Sequence, residues 1–478
     1  MPVSLADGRS IWYICGMQDI TASIATLYKE WKGKEAYSIE LLPQSGSERR
    51  YFRINGSTES VIGTYGANIQ ENKTFIYFSK HFKPKQLAVP EILAISDDEQ
   101  FYLQEDFGTV SLLNHLESKG FSDEVYALFK KSLEALAFLQ IKGDEGLNYA
   151  DYCLTNQEFG KQAIMADLLY FKYYFLDALR KPYDKQKLIA DFEALSNYLT
   201  HTEYKYFMFR DFQSRNIMVT DDNAVHFIDY QGGMKGAPQY DVASMLWQAR
   251  ANLPDEWKNN LLEDYMASFE KIIGQSIDKN IFRSQYYGYV LIRLLQVLGA
   301  YGFRGLFERK AQFLTSIPLA LNNLKDFLKN QSLGISVPEF RKVLDMCLAD
   351  EVIQQFTPTQ ATDETPLVVK ICSFSYRKQL PEDNSDKEVK DFLEQQTKMP
   401  EFLNSTMDVV DITVEEYIKR GFESLLVGFG CTGGQHRSVY AADAMARHLK
   451  NKFKVKIELK HIVQEEKNYW KSGFAVVG

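Results

Sequence analysis

The spacing of apolar and polar positions divides the chain into a strand-rich beginning, a long helical middle, and a final region where strands and helices alternate. Residues 19–32 carry a helical period with Asp19 near its start. Residues 37–42, 49–54 and 61–65 read as strands, the first two joined by a Gly/Ser turn over 43–48. Residues 72–83 read as a helix, and 101–108 as a strand running into a glycine break. Helical periods then dominate to residue 330: 111–118, 124–141, the aromatic-rich 161–179, 191–200, and the segments after Pro254. Residues 337–354 read as one helix with Pro338 in its first turn. Beyond a polar, Thr/Pro-rich linker at 357–366, strands are expected at 367–374, 424–429 and 455–459. Helices are expected there at 388–396, 400–410, 414–420 and 439–452.

This pattern implies an α+β two-lobed unit followed by a smaller α/β domain, and 478 residues are more than one ordinary domain needs. The expected divisions are 1–16 as an extension, with Met17 opening the native sequence, and 17–330 as the two-lobed domain, split at 108/109. A junction follows at 331–365, and the second domain covers 366–478.

Composition narrows the partners. A net charge of -8 argues against broad non-specific nucleic-acid binding. The lysines alternating with apolar residues over 447–461 could touch RNA phosphate, but a solvated helix end and edge strand account for them better. Five scattered cysteines without a CxxC pair fit a reducing, cytoplasmic compartment. The most apolar long stretch, 286–303, has Arg293 in its middle. It therefore reads as a buried helix, and no membrane partner is expected.

Candidate chemistry centres on residues 209–219 and 226–231. Asp211 and Asn216 are separated by four residues, and Asp229 follows thirteen after Asn216, with two short strands between them. One carboxylate to orient an accepting hydroxyl, plus an Asn and a second carboxylate to hold Mg2+ against nucleotide phosphates, is what phosphoryl transfer requires. Arg49, Arg50 and Arg53 are the cations available to grip phosphate, because the third strand, 61–65, carries no lysine. Glu263, Asp264 and Arg293 are further candidates at the border of an acceptor pocket. In the second domain, strand, Gly430-Cys431-Thr432-Gly433-Gly434-Gln435-His436-Arg437-Ser438, then helix is an arrangement that presents backbone N–H groups to phosphate.

The spacing of Asp211, Asn216 and Asp229 resembles the aminoglycoside phosphotransferase/choline kinase family, relatives of the protein kinases. Residues 47–53 and 236–244 resemble segments of its kinases for the anomeric hydroxyl of N-acetylmuramate and N-acetylglucosamine. The resemblance implies a two-lobed protein-kinase-like fold using ATP and Mg2+ on an amino sugar. Asp211 would be the catalytic carboxylate, Arg210 the arginine beside it, Asn216 and Asp229 the metal ligands, and Gln104 and Glu105 the adenine hinge. Asp241 would cap the catalytic loop. Phe209 stands where many relatives have His.

The Gly-Cys-Thr-Gly-Gly-Gln-His-Arg-Ser run and residues 373–377 resemble the C-terminal domain of the RNase adapter RapZ. That resemblance implies a phosphosugar site at Cys431, Thr432, Gly433, His436 and Arg437, and a homo-oligomer formed through this domain. This chain lacks the family's strand and loop near 386–387. A regulatory adapter with a pseudokinase domain, binding glucosamine-6-phosphate or RNA, is the alternative from another class. The Cys431-x5-Arg437 spacing leaves a thiol phosphatase as a third.

Overall fold

A computed structural model describes residues 14–43, 49–57, 59–308, 311–331, 333–357, 359–363, 366–375, 393, 397–431, 436–462 and 475–476. The contacts separate two compact units. The first holds residues up to 171, 182–297 and 323–344. The second holds 172–181, 298–322 and 345 onward.

The first unit has a kinase-like fold, a sheet lobe followed by a helical lobe. Helix α1 (Ile14–Lys32) leads into strands β1 (Ser38–Leu41), β2 (Arg50–Asn55) and β3 (Ser60–Tyr65). Helix α2 (Ile69–Phe82), β4 (Ile92–Ile95) and β5 (Phe101–Glu105) follow. The sheet is antiparallel in the order β1-β2-β3-β5-β4. Alternation along the strands gives it two faces. Phe52, Ile54, Val61, Phe101 and Leu103 pack with Ile24, Leu27 and Tyr28 of α1. Tyr102 takes the opposite direction and meets Phe75 of α2 at 5.6 Å between ring centroids. Helix α2 starts at Ile69, three residues before its apolar period, because the Asn68 side chain caps the Glu71 amide. Asn72 then buries its amide against the carbonyls of Gly66 and Glu99. A Cβ at position 66 would meet Asn72 Oδ1 at 2.3 Å, so only glycine fits there.

The helical lobe contains α3 (Leu112–Lys119), α4 (Asp123–Asp144), α5 (Tyr149–Tyr152), α6 (Lys161–Phe171) and α7 (Lys185–Thr200). Four short strands, β6 (Tyr206–Met208), β7 (Ile217–Val219), β8 (Val225–Phe227) and β9 (Met234–Gly236), carry the candidate loops and pair as β6-β9 and β7-β8. Helices α8 (Gln239–Leu246), α9 (Asp255–Ile273) and α10 (Lys279–Gly302) follow. The segment Lys279–Phe307 is long and apolar enough to cross a membrane, yet 56% of its most apolar window is buried in the protein, as a core helix would be.

The second unit contains a four-stranded sheet in the order β11-β10-β12-β13, with β10 (Val368–Ser375), β11 (Ser424–Cys431), β12 (Lys456–His461) and β13 (Ala475–Val476). The first three strands are parallel, with β10 central. Val369 and Ile371 are fully buried and pack with Ala442, Met445 and Leu449 of the helix Arg437–Phe453.

Besides ends that move by a few residues, as in α1, α2 and α7, three expected helical segments divide or join differently. Residues 161–179 are not one α-helix, because the last turn of α6 passes into a π-turn at Lys172–Leu176. Residues 337–354 form two helices, Pro338–Cys347 and Asp350–Phe356, broken at Leu348–Ala349. The two helices expected at 400–410 and 414–420 are one, Met399–Lys419. The polar residue at the expected break, Asp411, is buried there and pairs with His448 and Lys452 at 2.7 Å each, so nothing needs to unwind. The expected helix 388–396 and the turn 44–48 lie outside the described residues, apart from Leu393.

Ile54 is fully buried in the sheet lobe. Ile54→Ala is expected to remove about 2–5 kcal/mol of stability. Urea unfolding followed by tryptophan fluorescence checks this, since Trp31 packs on the same cluster.

Candidate functional site

The loop between β6 and β7 is held from behind by Asp241, the third residue of α8. Its carboxylate is fully buried and accepts hydrogen bonds from the Phe209 and Arg210 amides at 2.8 and 2.9 Å and from Gln140 Nε2 at 2.8 Å. Burial pushes this carboxyl up to about 6, against the pull of those donors. Arg210 sits at φ +81° and Asp229 at φ +71°, in the left-handed region that non-glycine residues rarely occupy. Arg210 is fixed there by paired bonds to Asp167 at 2.7 and 2.9 Å, a bond to the Tyr240 hydroxyl at 2.8 Å, and the Phe159 ring at 4.5 Å. Its guanidinium is thus committed to holding the loop. Phe209 is fully buried and meets Phe212 and Tyr230 edge-on, an apolar anchor for the loop.

Asp211 stands at the mouth of the loop. Its Oδ1 accepts from Arg293 Nη2 at 2.6 Å and from Gln213 Nε2 at 2.9 Å, and its Oδ2 accepts from Arg215 Nη2 at 3.2 Å. Burial opposes its charge, but Arg293 and Arg215 outweigh burial and hold the carboxyl below its ordinary value. Asn216 donates its side-chain amide to the Asp211 carbonyl at 2.9 Å, which ties the two candidates together. The backbone of Ile228 donates to the Asn216 carbonyl at 3.1 Å, bringing the segment before Asp229 alongside. Asp229 Oδ1 accepts from Gln231 Nε2 at 3.0 Å and from Arg49 Nη2 at 2.9 Å.

The three candidate arginines separate clearly. Arg49 is 3% exposed and lies between Asp229 and Glu71 of α2, its Nε 3.2 Å from the Glu71 carboxylate. Arg53 is spent on the hinge, with paired bonds to Asp106 at 2.7 and 3.0 Å and one to the Gly108 carbonyl. Arg50 lies half-buried opposite Tyr65 on β3.

Between the lobes of this unit is a cavity of about 240 Å³. Ile62, Phe75, Met218 and Ile228 give it apolar walls, with Asn216 and Asp229 at one end. Gln104 lines the same cavity. It is buried, and its side-chain oxygen has no hydrogen-bond partner. A buried orphan acceptor in an apolar slot fits a nucleobase carrying an amino group. The Glu105 side chain is engaged elsewhere, by Lys83 at 2.6 Å. Among the described residues no cluster of three or more His, Cys, Asp or Glu side chains could hold a metal ion by itself. One carboxylate and one amide, Asp229 and Asn216, suit an ion that takes its remaining ligands from phosphate and water, as magnesium does.

Residues 39–272 match the phosphotransferase enzyme family, and residues 375–463 match the RapZ C-terminal domain. The chain joins a phosphotransferase-family domain to a RapZ C-terminal domain. A nucleotide-binding protein of Fervidobacterium nodosum is 39% identical over 79 residues, 16% of this chain and 28% of that protein. One from Thermosipho melanesiensis is 44% identical over 73 residues, 15% of this chain and 26% of that protein. The chain thus spans about a quarter of the length of these relatives. Among solved structures, a choline kinase from Streptococcus pneumoniae overlaps at TM-score 0.41 and 12% identity, covering 65% of this chain and 99% of its own. A Plasmodium vivax ethanolamine kinase overlaps at 0.46 and 12%, covering 71% and 92%.

In the RapZ C-terminal domain, Cys431 ends β11 and Arg437 opens the following helix, both lining a cleft of about 700 Å³ with Lys398 and Phe402. The Cys431 sulfur lies 3.3 Å from the Ser438 hydroxyl. His436 is half-buried just before the helix, while Thr432 and Gly433 lie outside the described residues.

Within the phosphotransferase domain, the sequence left three partners unassigned: Glu71, Asp167 and the pairing of Arg293 with Asp211. The one available signal was an arginine inside an apolar helical run. Glu263 and Asp264, named beside it, instead pair with Arg283 and Lys130.

The raised carboxyl of Asp241 has a pH consequence. Below the ordinary Asp value both folded and unfolded chains are protonated there. As pH rises from about 4 to 6 the unfolded chain gives up the proton first, so the stability contributed by the neutral form is lost through that window. Asp241→Asn, which stays neutral, is expected to be less stable than wild type at pH 4 or to match it, and to gain on wild type up to pH 6. Unfolding free energies of the two proteins across that range check this.

Proposed function

We propose that the phosphotransferase domain transfers the γ-phosphoryl group of ATP to a sugar hydroxyl, with an amino sugar as the acceptor class. The observation that carries this reading is the buried Arg49, paired with both Glu71 and Asp229 at the end of a cavity walled by Gln104. The third strand has no lysine, and a buried guanidinium between a helix carboxylate and the candidate metal carboxylate supplies the missing cation from the residue just before the neighbouring strand. It also weighs against the pseudokinase adapter, whose case rested on that missing lysine and on Phe209.

In this reading the accepting hydroxyl donates a hydrogen bond to Asp211, which orients it and receives its proton as the new O–P bond forms. Asn216 and Asp229 hold Mg2+, which would neutralise phosphate charge. Arg49 grips the phosphates, with Arg50 next to it at the start of the strand. Gln104 faces the base, and the main chain at Glu105 lies on the hinge. Arg210 acts through the loop it fixes. Phosphosugar binding belongs to the RapZ C-terminal domain, at Cys431, His436 and Arg437 with Thr432 and Gly433. The free thiols among the described residues suit a reducing cytoplasm.

The test is ADP release from the full chain with Mg2+ and a panel of free sugars, N-acetylglucosamine and N-acetylmuramate among them. Turnover is expected to fall about 10²- to 10⁴-fold in Asp211→Asn, the scale of a lost general base, and to vanish in Asp229→Ala. Arg49→Met is expected to raise the KM for ATP about 10- to 100-fold, the loss of a charge-assisted hydrogen bond. Absence of ADP release from the wild-type chain on every sugar would sink the reading.

A further inference from the structure

Arg293 lies on α10 within the most apolar stretch of the chain and is 6% exposed. A buried guanidinium is costly in such a place, and an apolar residue of similar size often serves stability as well or better. Its retention therefore calls for something only a cation supplies. Nη1 is held by Gln296 one turn along the same helix at 2.8 Å, which aims Nη2 at Asp211 Oδ1, 2.6 Å away.

The two oxygens of Asp211 are treated differently. Oδ1 is held by Arg293 and by Gln213. Oδ2 meets only the Arg215 side chain among its recorded partners, at 3.2 Å, and that side chain is 58% exposed. An exposed pair at that distance is worth little and is readily displaced. A buried charge-assisted bond at 2.6 Å is not.

We propose that Arg293 is a positioning residue for the accepting hydroxyl: it pins one oxygen of Asp211 so that the other faces the acceptor. Arg215 yields when the hydroxyl arrives. The inference rests on the phosphotransferase reading, because Asp211 is positioned for that reaction. It explains why a lone arginine interrupts an apolar helix, and it makes α10 part of the acceptor site.

Because Arg293 acts through Asp211, its removal should cost nothing further once Asp211 is disabled. The test compares kcat and KM of the full chain for ATP with N-acetylglucosamine and with N-acetylmuramate. The proteins are wild type, R293M, R293K, R215A, D211N and D211N/R293M, each first checked for a cooperative thermal transition. R293M is expected to lower kcat about 10²-fold, the scale of a misplaced catalytic group, with the KM for ATP unchanged. R293K should recover part of that loss, R215A should cost far less than R293M, and D211N/R293M should be no slower than D211N.

Equal losses in R293M and R215A, or a further loss of the same size when R293M is added to D211N, would overturn the proposal while leaving the phosphotransferase reading intact. If R293M does not fold, R293K and D211N/R293K carry the same comparison with the same criterion. A wild-type chain that releases no ADP with either sugar overturns both.

Discussion

A single buried carboxylate holds the active loop in shape. Asp241 has no exposure, and its two oxygens satisfy the main-chain amides of Phe209 and Arg210 while also meeting Gln140 from α4. Those two amides would otherwise be unpaired at the point where the chain turns through a positive φ. Without that anchor the strained turn at Arg210 is held only through its side chain, by Asp167 and Tyr240, and the main chain leading to Asp211 loses its support. The charges in front of the loop depend on this buried group behind it.

Two ion-pair systems then divide the cleft. Arg49 reaches from the sheet lobe to Glu71 and Asp229, and Arg293 reaches from the helical lobe to Asp211. Each places a buried cation beside a carboxylate that the proposed chemistry needs ionised. At Asp211 burial alone would drive the carboxylate toward neutrality, and the paired Arg293 guanidinium opposes it. Phosphoryl transfer gathers negative charge at one point, so positive groups fixed in advance avoid the cost of reorganising at the moment of reaction.

The sequence displayed these features unevenly. Asp211, Asn216 and Asp229 could be read because their spacing is local: one loop and one hairpin fix all three. Most strands of both sheets could be read because β-period and turn residues are also local signals, but β4 and β13 were not read. The partner of Arg49 could not, since Glu71 lies on a helix joined to β2 only through the fold. The same holds for Arg293, which lies 82 residues beyond Asp211. Helix ends were misjudged where a polar residue had a distant partner. Asp411 lies in the gap expected between residues 410 and 414 and is a buried ion-pair member of one continuous helix.

The sheet of the RapZ C-terminal domain carries one more consequence. Its central strand, β10, is the first to be synthesised, yet both of its parallel neighbours come later, with β11 starting at Ser424 and β12 at Lys456. During synthesis an apolar strand must therefore wait, one edge for β11 and the other for β12, which follows later still. Such non-local pairing is slow to form, and the waiting strand is exposed to other chains. The order of strands in this small sheet thus makes its synthesis a stage at which an apolar edge stands open.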